Sequence, residues 1–309
     1  MESFQIALVN VLVTLFYIVP GFVIRKMNKA SSEHLPTLSA VLVYIGGPFL
    51  VTSAFLSLDY SWNIVQNMIL FFLFTLVAQA LFMLLLYALL HKRMSENKYR
   101  VMTIGSVVGN VGFFGIPILR ALFPESPELA CYSTVFTLSM NILIFTVGIF
   151  CLTGDKKYMS MKAAICNPTV FSLLIALPIY LLGLGRYFPD PLTNAISTVG
   201  AMTAPLCMFI LGIRLASAPL KKIFSRPIVY ATAILKLLVF PIFCYALVYF
   251  LPLSEVFKAG VLILSGMPCA SILLSMAEMH RSETEISANC LLVSTLFCFM
   301  TIPVLTLLL

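Results

Sequence analysis

Charge is what this chain has least of. Asp, Glu, Lys and Arg together make up 10% of its 309 residues, where an ordinary soluble domain carries about 25%. So few charges cannot cover a water-facing surface, and a soluble globular fold is excluded. Histidine is scarce too: His34, His91 and His280 all fall in expected loops, with no HExxH pair. The eight cysteines lie almost entirely in apolar runs and form no CxxC. Metal sites and disulfide frameworks need close, facing ligands, so the cysteines read as buried thiols and no cofactor is expected. No GxxxxGK(S/T) loop is present for a nucleotide-driven pump. An intramembrane enzyme would need a Ser/His pair, two deep aspartates or a metal, and the chain offers none of them.

What is abundant is apolar sequence: 61% of residues are hydrophobic and the mean hydropathy is +1.05. The solvent that suits such a chain is lipid. At about 20 residues per helical span, its length allows ten spans with short connections. A β-barrel is disfavoured because its strands alternate apolar and polar residues, whereas Met68–Leu90 and Tyr230–Leu251 are continuous runs. Helices are expected near 5–24, 36–57, 64–90, 98–120, 130–152, 167–186, 192–216, 227–251, 256–279 and 286–308. Ile6–Ile24 is followed, not preceded, by basic residues, so it reads as a retained helix and not a cleaved signal.

The connections are lopsided in charge. Fifteen of the nineteen basic residues lie in the first, third, fifth, seventh and ninth connections, including Arg25, Arg100, Lys156, Arg214, Lys221, Lys222 and Arg281. By the positive-inside rule these loops are cytoplasmic, which places both termini outside and requires an even number of spans. The net charge of +7 is thus a topology signal, and no nucleic-acid partner is expected.

Prolines suggest an internal repeat. Pro20 and Pro178, and Pro48 and Pro205, are 158 and 157 positions apart (178 − 20 and 205 − 48). Gly112 and Pro117 in the fourth span answer to Gly266 and Pro268 in the ninth at smaller offsets. With five spans each, residues 1–154 and 155–309 would be inverted relative to one another, an architecture of many secondary transporters whose substrate binds where broken helices meet. The expectation is an all-α integral membrane protein of ten helices in two inverted five-helix repeats, with broken helices 4 and 9 crossed.

The most telling stretch is Gly105-Ser-Val-Val-Gly-Asn-Val-Gly-Phe-Phe-Gly-Ile-Pro117. Glycine and proline weaken helices, and a break in lipid survives only inside protein or beside a wet cavity. Freed backbone groups of Gly109, Val111 and Gly112, with the Asn110 amide and the Pro117 break, can serve as ligands; the alternative is a packing kink built from small residues. Leu264-Ser-Gly-Met-Pro-Cys-Ala-Ser271 is the partner break, offering Ser265, Gly266, Met267, Pro268 and Ser271. Asn141 is centred in an apolar run and should face inward. Lys236 is the one formal charge deep in a span. It reads either as a fixed charge held by helix-end carbonyls or as a counter-charge for an anion or coupling role; a 157-residue offset makes Gln79 its counterpart. No Asp or Glu lies mid-span, so carboxylate-based ion coupling is not evident.

Taken together, these residues resemble the auxin efflux carrier family. Gly109–Pro117 is similar to the family's helix 4 signature, Asn167-Pro168 to the opening of its helix 6, and Ala204-Pro-Leu-Cys-Met-Phe-Ile-Leu-Gly212 to its helix 7 motif. Met267-Pro268 resembles its helix 9 break, and Lys236 ahead of Pro241 its helix 8 basic residue. The resemblance covers essentially the whole chain. It implies the fold of bile-acid and sodium/proton transporters: a scaffold from helices 1, 2, 6 and 7, a transport domain from helices 3–5 and 8–10, and elevator-like motion between them. It also implies a homodimer through the scaffold. The short fifth connection fits a compact prokaryotic-type member in a cell membrane. The expected function is a secondary carrier for a small organic anion such as a carboxylate; a membrane sensor with the same site is the alternative.

Overall fold

In the computed structural model, which describes residues 2–154, 156–218 and 223–309, helices dominate and no strand longer than a single bridge occurs among the described residues. Lys221 and Lys222, counted above on the basic side, lie outside the described residues. Seven helices among those described are long and apolar enough to cross a membrane: α1 (Ser3–Lys26), α2 (Ser32–Leu56), α3 (Trp62–Leu89), α6 (Glu128–Thr153), α8 (Asp190–Ser217), α9 (Pro227–Tyr249) and α12 (Thr284–Leu308). Between them lie α4 (Asn97–Gly105) and α5 (Val111–Leu122), the shorter apolar α7 (Pro168–Leu181), and α10 (Glu255–Ser265) and α11 (Ser271–Met279).

The outward faces are apolar. Val9, Leu12, Val13 and Phe16 of α1 and Leu73, Val77, Leu81 and Leu84 of α3 are all exposed. That is the reverse of a soluble helix, whose outer face is polar, and it makes lipid the surrounding solvent. Inside, Phe71, Tyr132 and Phe257 stack to tie α3, α6 and α10, with ring centroids 4.8–5.9 Å apart.

Proline shapes the long helices. Widened π-helical turns at Val41–Gly46, Val111–Gly115 and Leu235–Val239 each stop just before Pro48, Pro117 and Pro241. A proline lacks the N–H for its i−4 carbonyl and its ring crowds that carbonyl, so the turn ahead of it opens.

Glycine sets one close crossing. A Cβ on Gly21 of α1 would stand 2.2 Å from the Phe209 carbonyl oxygen, and one on Gly212 of α8 would stand 2.1 Å from that of Ile18. The two backbones touch there, as small residues permit in membranes. Helix α2 packs on both α7 and α8 beside this crossing, while α3, α6, α9 and α12 pack around the interrupted helices.

Candidate functional site

Two interruptions meet at the centre of the fold. Residues 106–110 separate α4 from α5, and residues 266–270 separate α10 from α11. The two segments cross antiparallel, with Gly109 facing Cys269. The Asn110 N–H donates to the Pro268 carbonyl at 2.7 Å, and the Ala270 N–H donates to the Val108 carbonyl at 3.3 Å. Unwinding therefore leaves these groups satisfied by the opposite segment, as a water-poor interior demands. The Cys269 N–H donates to Ser294 Oγ at 3.0 Å, and the Gly109 N–H points at Met140 Sδ at 3.3 Å.

Helix ends on the two sides match at a constant offset: Gly105 to Ser265 and Val111 to Ser271 are each 160 positions apart (265 − 105 and 271 − 111). The pairing drawn from proline and glycine is corrected accordingly. Pro268 sits in its linker, whereas Pro117 lies within α5, so the two are not equivalent.

Lys236 lies under the crossing and is fully buried. Its Nζ donates to the Ser265 carbonyl at 2.7 Å and sits 4.7 Å from the centre of the Phe240 ring. A Cβ on Gly109 would come within 2.9 Å of that Nζ. The ammonium thus meets the C-terminal, negative end of α10, where a cation is favoured. This is the fixed-charge geometry, one of the two readings of Lys236 open from sequence.

A cavity of about 200 Å³ opens on the other side of the crossing. The first residues of α5 (Val111 and Gly112) and of α11 (Ser271 and Ile272) line it, with Gly109, Asn110 and Ala270 from the linkers. It is therefore flanked by the N-terminal, positive ends of two helices. Asn141 of α6 and Asn167 ahead of α7 close the wall, their amides 3.4 Å apart. Asn167 Oδ1 also accepts from the N–H groups of Thr169 and Val170, capping α7. The Asn110 amide reaches Cys207 Sγ of α8 at 3.5 Å. Among the described residues no ionisable side chain lines this cavity, so the electrostatics they give it come from helix ends and amides.

Of the residues expected at a binding site, Gly109, Asn110, Val111, Gly112, Asn141 and Ser271 line the cavity. Pro117, Ser265, Gly266, Met267 and Pro268 do not: Ser265 ends α10, Gly266, Met267 and Pro268 belong to the linker that forms the crossing, and Pro117 lies within α5. Gln79 is set apart from Lys236, donating to the Thr75 carbonyl at 2.9 Å and to Ser139 Oγ at 2.8 Å. Sequence reasoning missed Asn167, Thr137 and Ser172 as cavity residues. The Asn167-Pro168 pair was a signal for the first. Thr137 and Ser172 gave none, since both hydroxyls bond within their own helices as many membrane hydroxyls do. Of the cysteines, Cys166 is exposed and Cys207 half-buried, against the expectation of burial for all.

An all-helical chain with a lipid-facing surface and a central cavity between interrupted helices is a multi-pass integral membrane protein. The chain belongs to the Membrane transport protein family, whose model matches residues 6–306, in line with the resemblance carried by its motifs. Among its relatives is an uncharacterized transporter of Methanocaldococcus jannaschii, 24% identical over 300 residues that cover 94% of this chain and 95% of that protein. An uncharacterized transporter of Methanothermobacter thermautotrophicus is 21% identical over 95% of each chain.

Proposed function

We propose that the protein is a secondary carrier for a small organic anion, a carboxylate being the simplest case. The observation that carries this reading is the Gly109–Cys269 crossing, which brings the N-terminal ends of α5 and α11 to one uncharged cavity. Two positive helix ends attract a carboxylate, and the amides of Asn110, Asn141 and Asn167 can donate to its oxygens. The volume exceeds the roughly 150 Å³ cavity that holds benzene, so a carboxylate of about benzoate size fits.

The seven long helices, α7 and the two interrupted pairs α4–α5 and α10–α11 make ten crossings, read as two inverted five-helix repeats. Helices α1, α2, α7 and α8 form the scaffold and the others carry the substrate. The cavity lies between these groups, with α2 and α7 on one wall and α5, α6 and α11 on the other, as sliding of one body against the other requires. The termini then face outward in a cell membrane.

The test is flux. Purified protein in liposomes should exchange labelled carboxylates from a mixed panel, and Asn110→Ala together with Asn141→Ala should abolish it. Exchange of neutral amides but of no carboxylate would overturn the anion reading.

A further inference from the structure

A second cavity of about 480 Å³ lies among the first turns of α2, the end of α8, and α11 and α12. Its wall carries Arg214, Ser217, Ser275 and Glu278. The Arg214 guanidinium is poorly satisfied. Among the described residues its nearest carboxylate oxygen, on Glu278, is 4.0 Å away, outside hydrogen-bonding reach, and its buried Nε has no hydrogen-bond partner among them. A buried donor without a partner is unfavourable, and a guanidinium presents a planar fork suited to a carboxylate. Ser217 beside it already accepts from Arg25 Nε at 2.8 Å, which adds a second positive group to this end of the molecule.

The position matters as much as the chemistry. On α8, Cys207 touches Asn110 of the central cavity and Arg214 follows seven residues later on the same face. On α11, Ser271 lines the central cavity and Glu278 follows seven residues later. At 1.5 Å per residue both helices set the two cavities about 10 Å apart.

We propose that Arg214 forms a staging site for a small carboxylate, one step from the central cavity, with Glu278 as the internal anion that the ligand displaces. The proposal rests on the carboxylate-carrier reading for its ligand class. A carboxylate arriving at Arg214 takes the Nη1 that Glu278 now faces at 4.0 Å, with the neighbouring Nε–H reached as the guanidinium turns toward the cavity. It releases Glu278 to solvent, where that side chain is already half exposed.

The test reads Arg214 itself. Phenylglyoxal modifies accessible guanidinium groups, and mass spectrometry of the Arg214 peptide reports the extent. Benzoate should protect Arg214 and benzamide should not. Glu278→Gln, which removes the competing anion, should lower the half-protecting benzoate concentration by about 2- to 5-fold. Protection should be unchanged in Asn110→Ala, so a failed central site leaves this measurement readable. Equal protection by benzamide, no protection by benzoate, or a higher half-protecting concentration in Glu278→Gln would overturn the proposal. Protection by added phosphatidylglycerol but not by benzoate would overturn it in favour of a lipid phosphate.

Discussion

Asn110 gives its backbone N–H to the Pro268 carbonyl at 2.7 Å, while its side chain lines the cavity that the two helix N-termini flank. One residue thus closes the crossing on one side and faces the ligand space on the other. Its neighbour Gly109 holds the opposite boundary, against Lys236.

Gly109→Ala should therefore be destabilising. The added methyl would stand 2.9 Å from Lys236 Nζ and 3.1 Å from its Cε, and overpacking of this kind costs about 1–3 kcal/mol. Gly112→Ala meets only Thr137 Oγ1 at 3.8 Å, so it should keep the wild-type melting temperature and weaken substrate affinity by narrowing the cavity. Thermal unfolding in detergent, run beside flux assays, separates the two.

Lys236→Met should act on stability before affinity. The ammonium is engaged by the Ser265 carbonyl and the Phe240 ring and does not line the cavity. Removing it leaves a buried carbonyl unpaired, at about 1–3 kcal/mol. A lower melting temperature with substrate affinity changed less than about threefold is the expected pattern. A large loss of affinity at full stability would show that the lysine binds substrate directly.

Gly212→Ala should loosen the α1–α8 crossing, since its methyl would fall 2.1 Å from the Ile18 carbonyl oxygen. Backbone cannot give way as a side chain can, so a loss at or above about 1–3 kcal/mol is expected. Thermal melts of this variant against Gly112→Ala would check it; equal melting temperatures would mean the helices can part freely there.

Spin labels at Asp59, beyond α2, and Glu125, beyond α5, report on sliding between the proposed scaffold and the substrate-carrying helices. Two distance populations that shift with substrate are expected. A single distance, indifferent to every transported carboxylate, would rule out the elevator motion.

The crossing was legible because glycine, proline and asparagine are poor helix material in lipid, and Gly105–Pro117 and Leu264–Ser271 concentrate them. The partner of Gly109 was not legible. It is Cys269, an apolar residue whose place is set by the antiparallel backbone and not by its type. Matching prolines gave offsets of 157 and 158, yet the helix ends at the crossing repeat at 160. Proline marks where a helix bends, which can drift by a turn, while linker ends mark where it stops. Asn141 and Asn167 meet only through the packing of α6 on α7, a contact that no local pattern encodes. Arg214 read as one more basic loop residue; its free Nε becomes visible only once its surroundings are built.

The most direct measurement is carboxylate exchange by purified protein in liposomes, comparing wild type with Asn110→Ala and Asn141→Ala. Each amide that donates to a bound carboxylate contributes about 1.5–3 kcal/mol, so each variant should lose about 10- to 100-fold in affinity while its melting temperature stays close to wild type. Exchange of a carboxylate that persists undiminished in both variants would contradict the assignment of the cavity as the transport site.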